Sequence, residues 1–298
     1  MQPALNWLNK NNDKKFFLFL HGYVVHGNFL SPRVFDYRFV KKPYEGSYTG
    51  SVKEWNTLRE ALFAGNGPKL TDQDIDFWRA LYDEKISRAD EQLGKVIDYL
   101  QGSGLMEKSI FVVLSDHGTG FFEHEFGHGN SLYGEILDVL LAIRMPGQKQ
   151  GEAIDNLVST LDVTPPILSL LGIKDPAVAS MKGVDLTPAT KGETVSRDIY
   201  FETDFRNYTH KRGIQTPDDW KMILTMENLK RELYNLKTDP AERVNLAEKE
   251  PKITYELEQK IYRHLKEMKA SEGPWRLGCP PELSDKCQSI QIEKTDIK

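Results

Sequence analysis

"SIFVVLSDHG", residues 109–118, decides the architecture. Five apolar side chains, Ile110 to Leu114, are followed at once by Ser115, Asp116, His117 and Gly118. An apolar run this short, without alternation, fits a strand buried on both faces by helices. Just upstream lies "TDQDIDFWRALYDEKISRADEQLGKVIDYLQGSG", residues 71–104, in which Tyr82, Ile86, Ala89, Leu93, Ile97 and Leu100 recur at helical spacing. Thr71 is the expected N-cap, with Asp74 three residues on, and Gly102 and Gly104 mark the stop.

Working outward, "FFLFL" (16–20) and "DVLLAIRMPG" (138–147) predict two further strands, the first of them buried. "TLDVTPPILSLLGI" (160–173) predicts a helix capped by Asp162, with Pro165 in its first turn. The polar, glycine- and tyrosine-rich "KKPYEGSYTGSVKEWN" (41–56) reads as a surface excursion. From Ser196 the pattern changes to short strands, "DIYFE", "KRGIQT", "WKMILT" and "RELYNL", followed by the helix "KITYELEQKIYRHLKEM". The expectation is a three-layer α/β/α domain with a largely parallel sheet over 1–195, then a small C-terminal antiparallel sheet plus helix over 196–298.

Composition narrows the function. At 298 residues and 39% hydrophobic the chain can bury a sizeable core. With 39 basic against 44 acidic residues it lacks the basic excess of a nucleic-acid binder. No apolar run approaches the roughly 20 residues of a transmembrane span, and the opening residues show no signal-peptide pattern. The compartment stays open. Cys279 and Cys287 either close a small loop or are two plain thiols.

Three of the seven histidines, His117, His124 and His128, fall within 12 residues, and His21 and His26 follow the other greasy run. In open α/β sheets ligands bind beyond the carboxyl ends of strands, so these two groups are expected to converge. Asp116 and His117 offer a hard oxygen and an imidazole nitrogen, an adjacent pair suited to a divalent cation but only part of a coordination sphere. Glycines flank His128, which argues for a loop and against a helical zinc pair with His124. His210 and His264 read as surface or structural.

Several segments, in order, resemble the sulfatases of the alkaline phosphatase superfamily. They are "FFLFLHGYVVHGNF", "YDEKISRADEQLGKVIDYLQGSGLMEKSIFVVLSDHG", "EHEFGHGNSLYGEILDVLLAIRMPG", "TLDVTPPILSLLGI", "KGVDLTP", "DWKMI" and "ELYNLKTDPAERVNLA", together spanning roughly 15–265. The resemblance implies that Asp116 and His117 ligate a metal, usually Ca2+. It implies that His26 helps protonate the leaving oxygen of a sulfate ester and that His128 stands against the sulfate. His21 would line the pocket and His124 support the substrate-facing loop. A small sulfate ester or a sulfated saccharide is the implied substrate.

The chain departs from that pattern twice. Val24 and Val25 precede His26 where relatives commonly carry an acidic residue. More seriously, no Cys/Ser-x-Pro/Ala-x-Arg nucleophile motif is present: "SPR" at 31–33 lacks the spacing, and Cys279 is followed by "PPE" without the arginine. A missing N-terminal segment or partner is therefore expected, together with an exposed apolar edge where it would pack. Two alternatives stand beside the sulfatase reading. One is a phosphatase, phosphodiesterase or phosphoethanolamine transferase of the same superfamily; the other is a catalytically dead sulfatase-like binding protein.

Overall fold

The structure, a computed structural model, describes residues 1–26, 36–189, 192–205 and 209–268. The two cysteines and the "SPR" tripeptide lie outside the described residues. The chain forms two compact units that interleave in sequence: 1–115 with 119–127 and 140–151, and 116–118 with 128–139 and 152–298.

The first unit is built on α1 (Gln2–Asn11), α2 (Val52–Phe63) and the long α3 (Asp72–Gly102). Thr71 caps α3 as expected, accepting from the Asp74 N–H while Asp74 reaches back to the Thr71 N–H. The buried face agrees with the expected one at Leu100 but departs from it in the first half of the helix: Ile86 is exposed, whereas Phe77, Trp78, Leu81, Glu84 and Lys85 are buried. The reason is aromatic packing. Phe77, Trp78 and Leu81 join Leu58, Phe121 and Phe126 in one cluster, with Tyr44, Tyr48 and Trp55 packed against it. The stretch expected to be a surface excursion thus supplies core, and its end is α2, started by a Ser51–Glu54 capping box.

Strand β1 (Phe111–Leu114) follows α3 and pairs with β4 (Leu141–Arg144). Parallel pairing expected of β1 is replaced, at this neighbour, by an antiparallel register of Phe111 opposite Arg144 and Leu114 opposite Leu141. Between them, β2 (Gly120–Phe121) and β3 (Phe126–Gly127) make a minimal hairpin. Among the described residues, 16–20 belong to no ladder, and they are not fully buried. Phe16 and Leu18 pack toward Leu8, Val96, Leu100 and Met106, while Phe17 and Phe19 are 81% and 75% exposed. Among the described residues, a helical layer packs on the face that carries Phe16 and Leu18, and Phe17 and Phe19 point away from it.

The second unit contains the short α4 (Gly134–Leu137), α5 (Thr164–Leu170), the meander β5 (Ile199–Phe205), β6 (Thr209–Gln215), β7 (Trp220–Thr225), β8 (Lys230–Asn235), and α6 (Pro251–Glu267). All four strands stand where the sequence pattern placed them and pair antiparallel in order. Alternation sorts their faces. Ile214, Met222, Leu224 and Leu233 pack on Leu257, Ile261 and Leu265 of α6. On the opposite face Ile223 and Tyr234 pack on Leu132 and Tyr133. Asp162 is not the cap of α5; Ser159 caps the 3-10 turn before it, and buried Asp162 accepts from the Ser159 and Val184 N–H groups and from Arg197.

Candidate functional site

In the second unit, Asp116, His117 and Gly118 form a tight bend. Asp116 Oδ1 accepts the His117 N–H at 2.9 Å. His117 Nδ1 lies 2.7 Å from the Gly118 carbonyl oxygen. A carbonyl only accepts, so this contact needs the proton on Nδ1, and in the neutral ring that tautomer leaves the lone pair on Nε2. That is the orientation a metal-ligating histidine takes from an outer partner. Nε2 stands 3.8 Å from Asp116 Oδ2. Two donors each about 2.0–2.6 Å from one cation can stand that far apart, so the separation is compatible with both ligating one divalent ion. The Asp116 side chain is 78% and that of His117 40% exposed, leaving room for further donors. Among the described residues no group of three or more His, Cys, Asp or Glu side chains is set to hold a metal.

His128 comes to the same place, its ring 4.4 Å from that of His117 and tilted by 35°. Two glycines make this approach feasible. A Cβ on Gly118 would lie 2.1 Å from the Glu135 carbonyl oxygen, where the Gly118 N–H donates to Ile136 at 2.8 Å. Gly129, at φ +94°, lies so close to the Phe205 ring that a Cβ would meet it at 2.6 Å. The Thr203 hydroxyl donates to the Gly129 carbonyl.

The first unit holds the other three predicted histidines. His21 is exposed, with its ring 4.5 Å from Tyr23. His26 closes a turn, its N–H donating to the Tyr23 carbonyl at 3.2 Å. His124 is half-buried in the turn between β2 and β3 and does not lie on a helix, so it forms no helical pair with His128. Beside it, burial opposes ionisation of Glu123. The Phe121 N–H and Arg79 outweigh that and hold the carboxyl below the usual range.

One residue of this region escaped sequence inspection. Lys85 of α3 is buried, and its Nζ lies 3.5 Å from the His26 carbonyl. Burial pushes its ammonium down to about 8. The signal was a lysine four residues after Leu81 on the face that packs. His210 and His264 prove structural: buried His210 sits 2.8 Å from Asp204, and the His264 ring stacks on Tyr200 at 3.9 Å.

The Asp116–His117–Gly118 bend with His128 beside it lies in a chain whose residues 1–173 match the family model "Sulfatase". This chain belongs to the sulfatase family. A second model, "N-sulphoglucosamine sulphohydrolase, C-terminal", matches 119–271. Arylsulfatase K of Bos taurus is 28% identical over 289 residues, which cover 87% of this chain and 53% of the relative. The chain therefore spans about half the length of that relative. A solved 2-O GAG sulfatase superposes with a TM-score of 0.62 at 22% identity, covering 95% of this chain and 61% of its own. A solved protein in complex with its substrate D-glucosamine-2-N,6-O-disulfate gives a TM-score of 0.58 at 19% identity, covering 91% and 63%. The fold class is the α/β fold of sulfatases, carrying the small antiparallel sheet and helix expected at its C-terminal end. No helix among the described residues is long and apolar enough to cross a membrane.

Proposed function

We propose that this chain carries the metal-binding and acid–base half of a sulfatase-type hydrolase of sulfuric esters. The observation that carries the proposal is the orientation of His117: Nδ1 is tied to the Gly118 carbonyl, Nε2 faces Asp116 Oδ2, and His128 lies against the ring. Asp116 and His117 would hold the divalent cation, Ca2+ being the ion the resemblance implies. When bound, such a cation neutralises charge on the sulfate oxygens. His128 in its protonated form would face the same anion, and passing a proton to the leaving oxygen is the role that the family resemblance gives His26. Lys85 holds the His26 carbonyl and so sets that turn. For His21 and His124 the family resemblance implies pocket-lining and loop-supporting roles respectively.

The nucleophile comes from a further N-terminal segment or a partner, because the sequence carries no Cys/Ser-x-Pro/Ala-x-Arg motif. Exposure of Phe17, Phe19, Leu114 and Leu140 supports a further element packed on the first unit. The substrate class is a sulfated saccharide or small sulfate ester; the structural relative bound to a glucosamine disulfate supports the saccharide.

The test is turnover by the gene product as its natural source makes it, after its intact mass is compared with 34.2 kDa. Hydrolysis of an aryl sulfate or a sulfated glucosamine, abolished by Asp116→Ala, is expected. Preference for an aryl phosphate would move the protein to the phosphatases of the superfamily. A product of 34.2 kDa that turns over neither ester supports the second reading, a sulfatase-like binding protein, which the absent motif favours.

A further inference from the structure

The segment "KTDPAERVNLA", residues 237–247, has no part in the chemistry above, yet it delivers a carboxylate to the interior. Asp239 accepts the N–H groups of Arg243 and Val244 and folds the segment into a turn. Within that turn Glu242 adopts φ +53°. Its side chain and that of Lys221 on β7 are each 2% exposed and stand 2.8 Å apart. The other carboxylate oxygen, Oε2, accepts the Gly134 N–H at 2.6 Å. One position earlier, the Tyr133 hydroxyl donates to Glu232 of β8 at 2.7 Å. The start of α4 is thus pinned to the meander by two buried carboxylates.

From α4 the connection runs to the candidate site. The Ile136 carbonyl accepts the Gly118 N–H, and the Gly118 carbonyl holds His117 Nδ1. On the other side Thr203 and Phe205 of β5 seat Gly129, the neighbour of His128. We propose that Glu242 is a positioning residue: paired with Lys221, it fixes Gly134 and α4 so that Gly118 presents the His117 ring to His128. This inference rests on the proposed site and explains why a loop-built pair of imidazoles needs a small sheet behind it.

The experiment uses the full chain with the double substitution Lys221→Met/Glu242→Leu, which removes the acceptor without stranding a buried charge. Glu242→Gln is the control, since its amide oxygen can still accept the Gly134 N–H. Proton NMR would follow the cross-relaxation between the His117 and His128 rings, and calorimetry with CaCl2 would follow the ion. The double variant is expected to melt cooperatively but to lose the ring–ring contact and bind calcium at least about tenfold more weakly. Glu242→Gln is expected to retain the contact. A folded double variant with wild-type ring shifts and contact would overturn the proposal. Should the double variant not fold, amide exchange in the wild type decides: slow exchange at Gly118 and Gly134 supports it, and the rate of an exposed loop sinks it. Absence of calcium uptake by the wild type would count against the metal reading of the site, while the ring contact would still decide the role of Glu242.

Discussion

The meander β5–β8 and the run Phe16–Leu20 are both made from short, apolar-rich segments, yet they end in opposite states. Ile214, Met222, Leu224 and Leu233 are completely buried, because each strand has laddered neighbours and α6 covers the face they share. Phe17 and Phe19 are mostly in solvent, because residues 16–20 have a helical layer on one side and no ladder among the described residues. Apolar content gives a segment its capacity for burial. Burial itself depends on what the rest of the chain places beside it.

The largest expected effect lies at the buried ion pair behind the meander. Glu242→Ala leaves Lys221 without its carboxylate in the interior and should destabilise the second unit by about 3–5 kcal/mol in a denaturant titration. A cost below about 1 kcal/mol would show that the meander tolerates an open face as readily as residues 16–20 do. Leu233→Ala, at the centre of the α6 interface, should cost about 2–5 kcal/mol by the same measurement.

Lys85 sharpens the comparison from the first unit, where a charge has been buried. Its folded-state value of about 8 lies below the ordinary 10.5, so the unfolded chain binds more protons between those two values. Stability should therefore rise as pH increases through that window. Lys85→Met should stabilise the protein at pH 7 by on the order of 3 kcal/mol, and the gain should disappear above about pH 10.5. Melting curves of both proteins at pH 7 and pH 10.5 check this. An equal gain at both values would assign the effect to packing rather than to ionisation.

At the small end are a helix cap and the bare run. Ser51→Ala, which opens the capping box of α2, should cost about 0.5–2 kcal/mol. Phe17→Ser should change stability by no more than about 0.5 kcal/mol in this chain. Its effect should grow once the proposed N-terminal segment or partner is present, and that increase, measured by melting with and without it, is the quantity of interest.

Much of this was legible in residue order. Thr71 and Asp74 bracket the start of α3, and the four strands and α6 follow from alternation, turn residues and helical spacing. The Ser51–Glu54 box was equally readable and was masked by the tyrosines and glycine around it. The Asp116–His117–Gly118 bend was visible as a strand end followed by donor side chains. Which side of a uniformly apolar run faces out was not, because "FFLFL" has no period to orient it.

The sequence by itself determined the cap positions, the strands of the meander and the identity of the Asp116–His117 donors, since these depend on neighbours a few residues away. Only the tertiary structure decided that His117 meets His128, that Lys85 is buried beside the His26 carbonyl, and that Glu242 reaches Lys221 and Gly134. Those contacts join residues 11 to 108 positions apart, and the buried Lys221 and Glu242 charges are held in the interior because each offsets the other's lost hydration.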